Sequence, residues 1–332
     1  MKKVLLVGIA LIIFTFGLTG CGSRANNSTS ASDGKIKVVT TIFPLYDWVK
    51  QIAGDEAGRM EITLLMGKGI DLHSYQPTPE DIMKLSRADV FIYVGGESDA
   101  WVKDAVKEAA NKNMIALNLL DIMGSGVKEE ILPEGAEEEH EHEHKSEHEH
   151  DKPELDEHIW LSPRNAKILC RAVTEALAKA DATHAATYRA NGEAYQAKLD
   201  ALDAEYKNAV VGTAAKTLIF GDRFPFRYLT DDYGIRYYAA FAGCSAETDA
   251  SFKTIAFLAD KVNETNVPVI LVIDGSDGKI AAAIRDNSAH KQLPILKLDS
   301  MQSTTLSDAE KGKTYLSVMG ENLSVLKMAM GK

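Results

Sequence analysis

The chain has 332 residues, 45% of them hydrophobic, with 48 acidic against 37 basic side chains and a formal net charge of −11. An acidic chain with no basic face argues against nucleic acid as a partner, and the apolar content is ample for one large or two medium lobes. The charge is concentrated: residues 129–157 hold fourteen acidic residues against Lys145 and Lys152, a net of −12, which leaves the rest of the chain at +1.

In chain order, Lys2 and Lys3 precede an apolar run from Val4 to Phe16 and then Leu18-Thr19-Gly20-Cys21. This is the tripartite shape of a secretory signal, too short for a permanent membrane helix. LTGC resembles a lipobox, in which the cysteine receives lipid and becomes the mature N-terminus; the plainer reading is a cleaved signal with a chance cysteine. Residues 1–20 are thus expected to be a lipoprotein signal and 21–34 a polar tether from lipidated Cys21. The folded part should sit outside the cytoplasm, held to a membrane. Cys170 and Cys244 are two cysteines without a framework, and their pairing stays open.

From Lys35, short β-rich runs alternate with amphipathic segments. KIKVVTTIF, EITLLM, VFIYVG and MIALNLL read as strands. PLYDWVKQIAGD, TPEDIMKLSRA and ESDAWVKDAVKEAANK read as helices, the second with Thr78 as N-cap and Asp81 three residues on. SPRNAKILCRAVTEALAKA is a helix capped by Ser162 with Pro163 in its first turn. A second helical pattern from His184 to about Val211 would span roughly 40 Å. The alternation resumes from TLIFG to the end. The fold class is therefore α/β: two doubly wound lobes, residues 35–182 and 213–332, joined by a single long rigid helix at 183–212, with a cleft between them. A closed barrel is the topological rival.

Residues 128–154 read as a solvated loop hung from the first lobe. Five of the nine histidines, His140, His142, His144, His148 and His150, fall within eleven residues there, interleaved with glutamate. Imidazole and carboxylate at that density point to divalent metal association. An acidic linker or a purification tag is the plain alternative, but a tag would be a pure histidine run at a terminus.

Ligands of open α/β sheets bind beyond the carboxyl ends of the strands. His73 and His158 follow strands of the first lobe; Asp222, Asp274 and Asp299 follow strands of the second. Two imidazoles facing carboxylates form a set suited to zinc. His184 and His290 read as surface residues, and Asp274 and Glu247 as groups that could support ligands from behind.

The segments TTIFPLYDWVKQIAGD, DLHSYQPTPEDIMKLSRADVFIYVGGESDAWV, DEHIWLSPRNAKIL and LDSMQS resemble the metal-binding lipoproteins of bacterial zinc and manganese ABC importers, the ZnuA-like branch. The resemblance implies two β/α lobes with metal at their interface. It carries the ligand role to His73 of HSYQPTP, His158 of EHIWLSP and Asp299 of LDSMQS. The family usually places His or Glu after the first strand of the second lobe, and FGDRFPFRYL has neither. Asp222 is the nearest carboxylate, with water or a loop histidine as substitute. Alignment on FRYL instead puts Arg223 there, and a guanidinium cannot ligate a cation. The other role open to Asp222 is N-cap of the following helix.

The resemblance implies a monomeric, membrane-anchored protein that binds Zn(II) as its cargo and passes it to an ABC permease and its ATPase. A manganese protein of the same class is the alternative. A zinc hydrolase or a passive zinc-buffering adhesin are rivals of other classes, and the sequence has no HExxH helix, GxSxG elbow or P-loop.

Overall fold

The structure is a computed structural model that describes residues 34–136, 154–213, 216–245 and 249–332. The expected signal, Cys21 and the expected tether up to residue 33, the five loop histidines and Glu247 lie outside the described residues.

The first lobe alternates β1 (Ile36–Thr40), α1 (Phe43–Ala53), β2 (Met60–Leu64), α2 (Pro79–Ser86), β3 (Val90–Tyr93), α3 (Val102–Lys107), β4 (Ile115–Asn118) and α4 (Leu119–Met123). Helices α5 (Pro163–Ala180) and α6 (Ala185–Val210) follow. The second lobe runs β5 (Thr217–Phe224), α7 (Arg227–Tyr233), β6 (Arg236–Ala242), α8 (Phe252–Thr265), β7 (Ile270–Val272), α9 (Lys279–Asn287), β8 (Ile295–Lys297), α10 (Leu306–Glu310) and α11 (Tyr315–Ala329).

Each lobe holds a four-stranded parallel sheet, ordered β2-β1-β3-β4 and β6-β5-β7-β8. The two orders are the same topology written twice. Strands such as VFIY and ILV are apolar along their length because helices cover both faces of a parallel sheet. The chain leaves β1 in one direction and returns on its other side as β3, so the crevice beyond those strand ends is a switch point where loops diverge. β5 and β7 repeat it.

Capping fixes where the helices begin. Thr78 and Asp81 form a reciprocal capping box before α2, with Pro79 in the first turn. Ser162 accepts the Asn165 N–H at the start of α5. Helix α6 has 26 residues, a rod of about 39 Å at the usual rise.

The lobes share one core. Trp48 of the first lobe, Trp160 before α5, Tyr206 of α6 and Tyr315 of α11 are all buried in a single apolar cluster that continues into Phe220 and Phe226 of the second lobe. Three of the four polar tips are satisfied across the molecule, all but Trp48 Nε1: Trp160 Nε1 donates to Ser300 O at 3.0 Å, Tyr315 Oη to Trp160 O at 2.8 Å and Tyr206 Oη to Met319 O at 2.8 Å. The Tyr315 N–H donates to the Asp47 carboxylate of α1 at 2.8 Å. Backbone also crosses directly, through an antiparallel bridge between Lys68 and Thr305 and a 2.8 Å bond from Leu306 N to Gly67 O. Thus α6 is one of several ties, and removing an aromatic such as Trp160 would cost about 3–5 kcal/mol.

Candidate metal centre

His73 lies in a single helical turn, Leu72–Ser74, that follows β2. Asp71 starts that turn by accepting the His73 N–H at 3.0 Å. His158 follows β4 and the long loop, at the head of the turn Ile159–Leu161, with its N–H donating to Asp156 Oδ1 at 2.9 Å. Both histidines therefore have their backbone N–H held by an aspartate two residues earlier in sequence.

The two rings converge. His73 Nε2 lies 3.0 Å from His158 Nε2. Two nitrogens bound tetrahedrally to one zinc at about 2.0–2.1 Å would stand about 3.3 Å apart, close to this separation. Each ring is oriented from behind, as metal-bound imidazoles usually are. His158 Nδ1 is 3.0 Å from Asp156 Oδ1, and His73 Nδ1 is 2.9 Å from Ser98 Oγ. A neutral ring offering Nε2 to a cation carries its proton on Nδ1, where these oxygens accept it.

Burial and charge set the two rings apart. Burial, then the neighbouring His158, push the His73 pKa down to about 3, with Arg223 adding to the effect and Asp71 opposing it. Burial also disfavours charge on His158, but Asp156 on its Nδ1, with Glu130 and Glu157 beyond, outweighs it and raises its pKa. Glu157 accepts the Ser98 N–H at 2.9 Å through Oε1, while its buried Oε2 has no hydrogen-bond partner and lies 3.6 Å from His73 Nδ1. Gly96 allows this approach, since a Cβ there would come within 2.2 Å of Glu157 Oε1.

The turn after β6 completes the surroundings. Cys244 offers its sulfur within 4.8 Å of donor nitrogens of both His73 and His158. Gly243 presses against His158, where a Cβ would stand 3.1 Å from Cε1. Glu130 reaches in from the first lobe, accepting the Gly243 N–H at 2.7 Å and the Cys244 thiol at 3.3 Å. Glu130, Asp156 and His158 form a second group of clustered donor atoms. The described ends of the long loop pair as a short antiparallel ladder, Glu129 against Leu155, which carries Glu130 and Asp156 to this point. Tyr228 of α7 holds both sides, donating to Asp156 O at 2.8 Å and accepting the Lys128 N–H at 3.0 Å.

The carboxylates expected from the second lobe are placed elsewhere: neither Asp222 nor Asp299 belongs to these donor clusters among the described residues. Asp222 lies within β5 at an irregularity in the pairing register between Phe220 and Arg223. Its oxygens accept the N–H groups of Arg223, at 2.8 Å, and Ile273, at 3.4 Å. It is not the N-cap of α7 either, because that helix starts after Phe226 without a side-chain cap. Arg223 pairs with Asp71 at 2.5 Å and donates to Ser245 O at 3.2 Å, fastening the His73 turn to the Cys244 turn. Arg223 holds the Asp71 carboxyl below its usual range despite burial. Asp299 Oδ1 accepts the Met301 N–H at 2.8 Å, and Oδ2 pairs with Lys313 at 3.0 Å. Asp274 binds the N–H and hydroxyl groups of Ser300 and Ser303, stitching the loop after β8. His184 is half-buried against Asp181 and His290 is exposed.

A cavity of about 480 Å³ is lined by Asp71, Asp222, Arg223 and Asp274 rather than by the two histidines. The imidazole pair is too enclosed to need a cavity: the His73 side chain is 8% exposed and that of His158 is fully buried.

Residues 38–329 match the family described as zinc-uptake complex component A, periplasmic, or ZnuA. The chain belongs to the ZnuA family. It is 32% identical over 322 residues to the high-affinity zinc uptake system protein ZnuA of Bacillus subtilis, covering 96% of each chain. It is 30% identical over 332 residues to the zinc-binding lipoprotein AdcA of Streptococcus pneumoniae, covering 98% of this chain but only 61% of AdcA. The crystal structure of the Zn(II)-bound ZnuA-like domain of that AdcA superposes with a TM-score of 0.69 at 26% identity, over 90% of this chain and all of that domain. The ZnuA resemblance and the two-lobe α/β fold expected from sequence both hold.

Proposed function

We propose that this chain is an extracytoplasmic component of a zinc ABC importer, which binds Zn(II) as cargo between its lobes and delivers it to a membrane permease driven by an ATPase. The observation that carries the reading is the 3.0 Å approach of two Nε2 atoms, each ring oriented from behind by an oxygen at Nδ1. A pair of enclosed imidazoles favours zinc over manganese, which prefers oxygen donors. The zinc-uptake and zinc-binding names of the relatives support the same cargo.

In this reading the protein acts as a monomer anchored through lipid on Cys21, and the histidine-rich loop supplies weaker sites. Asp299 and Asp222 keep the ligand roles expected of them only if zinc binding draws them away from Lys313 and from the Ile273 N–H. Direct titration of zinc into purified protein, with zinc-limited growth of a deletion strain, tests the function. Tight one-to-one binding lost in His158→Ala, with a growth defect rescued by zinc, is expected. Equal zinc affinity in wild type and His158→Ala would refute it.

A further inference from the structure

We propose that Cys244 is the third protein donor to zinc, a thiolate that replaces the family's usual imidazole or carboxylate and makes the centre two nitrogens and one sulfur. This rests on the zinc reading of the His73–His158 pair.

The geometry assembles the donor from both sides. The Cys244 sulfur and the histidine nitrogens lie within 4.8 Å of one another. Sulfur and nitrogen bound to one zinc at about 2.3 and 2.05 Å stand about 3.6 Å apart, so the sulfur needs to move inward by little more than an ångström. Its turn cannot drift away. Gly243 packs on His158, and Arg223 grips Ser245 O while paired to Asp71. Cys244 is a free thiol, and the other free cysteine among the described residues, Cys170, is buried in the core.

A second feature of the same spot points to a cation. Buried Glu157 Oε2 is left without a hydrogen-bond partner beside His73, which suits a centre that becomes positive when filled. Burial, with Glu130 and Asp156 beside it, pushes the Cys244 thiol up, so it keeps its proton until a cation arrives. Arg223, which alignment on FRYL puts at the family's third position, is committed to Asp71 and cannot ligate.

Binding balances simply. A sulfur lone pair forms the zinc bond, and the S–H bond breaks toward the Glu130 oxygen that already accepts it. A coordinating thiol loses its proton outright beside a divalent ion. The ligand class is then a thiophilic divalent cation such as zinc, cadmium or cobalt, and manganese is disfavoured more strongly than by two imidazoles alone.

Cobalt(II) tests this without relying on transport, because thiolate ligation produces an intense near-ultraviolet charge-transfer band that imidazole and carboxylate do not. The full chain carrying Cys21→Ser, given one equivalent of cobalt, should show the band and lose it on zinc displacement. Cys170→Ser should keep it. Cys244→Ser should abolish it and weaken zinc by more than about 100-fold, exceeding the usual effect of groups behind a ligand, while metal-free melting stays near wild type. Tight cobalt binding to the Cys21→Ser chain without the band would overturn the thiolate proposal and leave the zinc reading standing. Absence of any tight zinc or cobalt binding would sink both.

Discussion

The two lobes repeat one topology and use it differently. The loops after β2 and β6 are equivalent, and so are those after β4 and β8. In the first lobe both positions carry histidines whose Nδ1 atoms face oxygens, leaving Nε2 open. In the second lobe one carries Cys244, and the other carries Asp299 with Lys313 already on its carboxylate. Position at a strand end grants access to the interface. The partner on the far side of each group decides whether it can still receive a cation.

The comparison breaks most sharply on the first-lobe pair. His158→Ala should lower zinc affinity by well over 100-fold in calorimetric or competitive titration, because it removes a donor that is already aimed. Asp156→Asn should cost about 10–100-fold, since it frees the ring to turn without removing it. If Asp156→Asn cost as much as His158→Ala, Asp156 would have to be a ligand.

Acid should separate the two imidazoles in the metal-free protein. The folded pKa of His73, about 3, lies below its ordinary value of about 6.5, so the native state binds fewer protons between the two. Its contribution is present above pH ~6.5 and is lost as pH falls toward 3. His158 is shifted upward, so its contribution is present below that same unfolded value and fades as pH rises through the folded one. Melting temperatures between pH 7 and 4 should therefore fall less steeply in His73→Gln than in wild type. An identical slope would mean that His73 is not held neutral.

Smaller effects sharpen the contrast with Asp299. Asp299→Asn should reduce stability by about 1.5–3 kcal/mol through its bond to a charged lysine, while changing zinc affinity less than Asp156→Asn does. The reverse order would bring Asp299 into the centre. Smallest of all on the tightest site is removal of residues 137–150, which should lower the number of zinc ions bound and leave the affinity of the first almost unchanged in equilibrium dialysis.

The β/α grammar was legible because periodicity and caps such as Thr78 and Ser162 are local properties. His73 and His158 were legible because HSYQPTP and HIWLSP are demanding local motifs. Cys244 was not, since a single cysteine after a strand carries no spacing signal; only the fold brings it within reach of residues 171 and 86 positions earlier in the chain. Glu130 and Asp156 were hidden among the acidic residues of their tract. Asp222 attracted attention as the nearest carboxylate, but its oxygens are taken by the N–H groups of Arg223 and Ile273 at an irregular step of β5, which no local pattern shows. The Asp71–Arg223 pair joins positions 152 residues apart, and no local pattern announces it.

The ties between Trp160 and Ser300, Tyr315 and Trp160, and Leu306 and Gly67 bear on unloading. These crossings tie the two halves together at the waist and oppose their swinging apart. In the zinc reading proposed above, the turn bearing Gly243 to Ser245, which lies on His158 and is held by Glu130 and Arg223, is the short segment whose opening would uncover the metal.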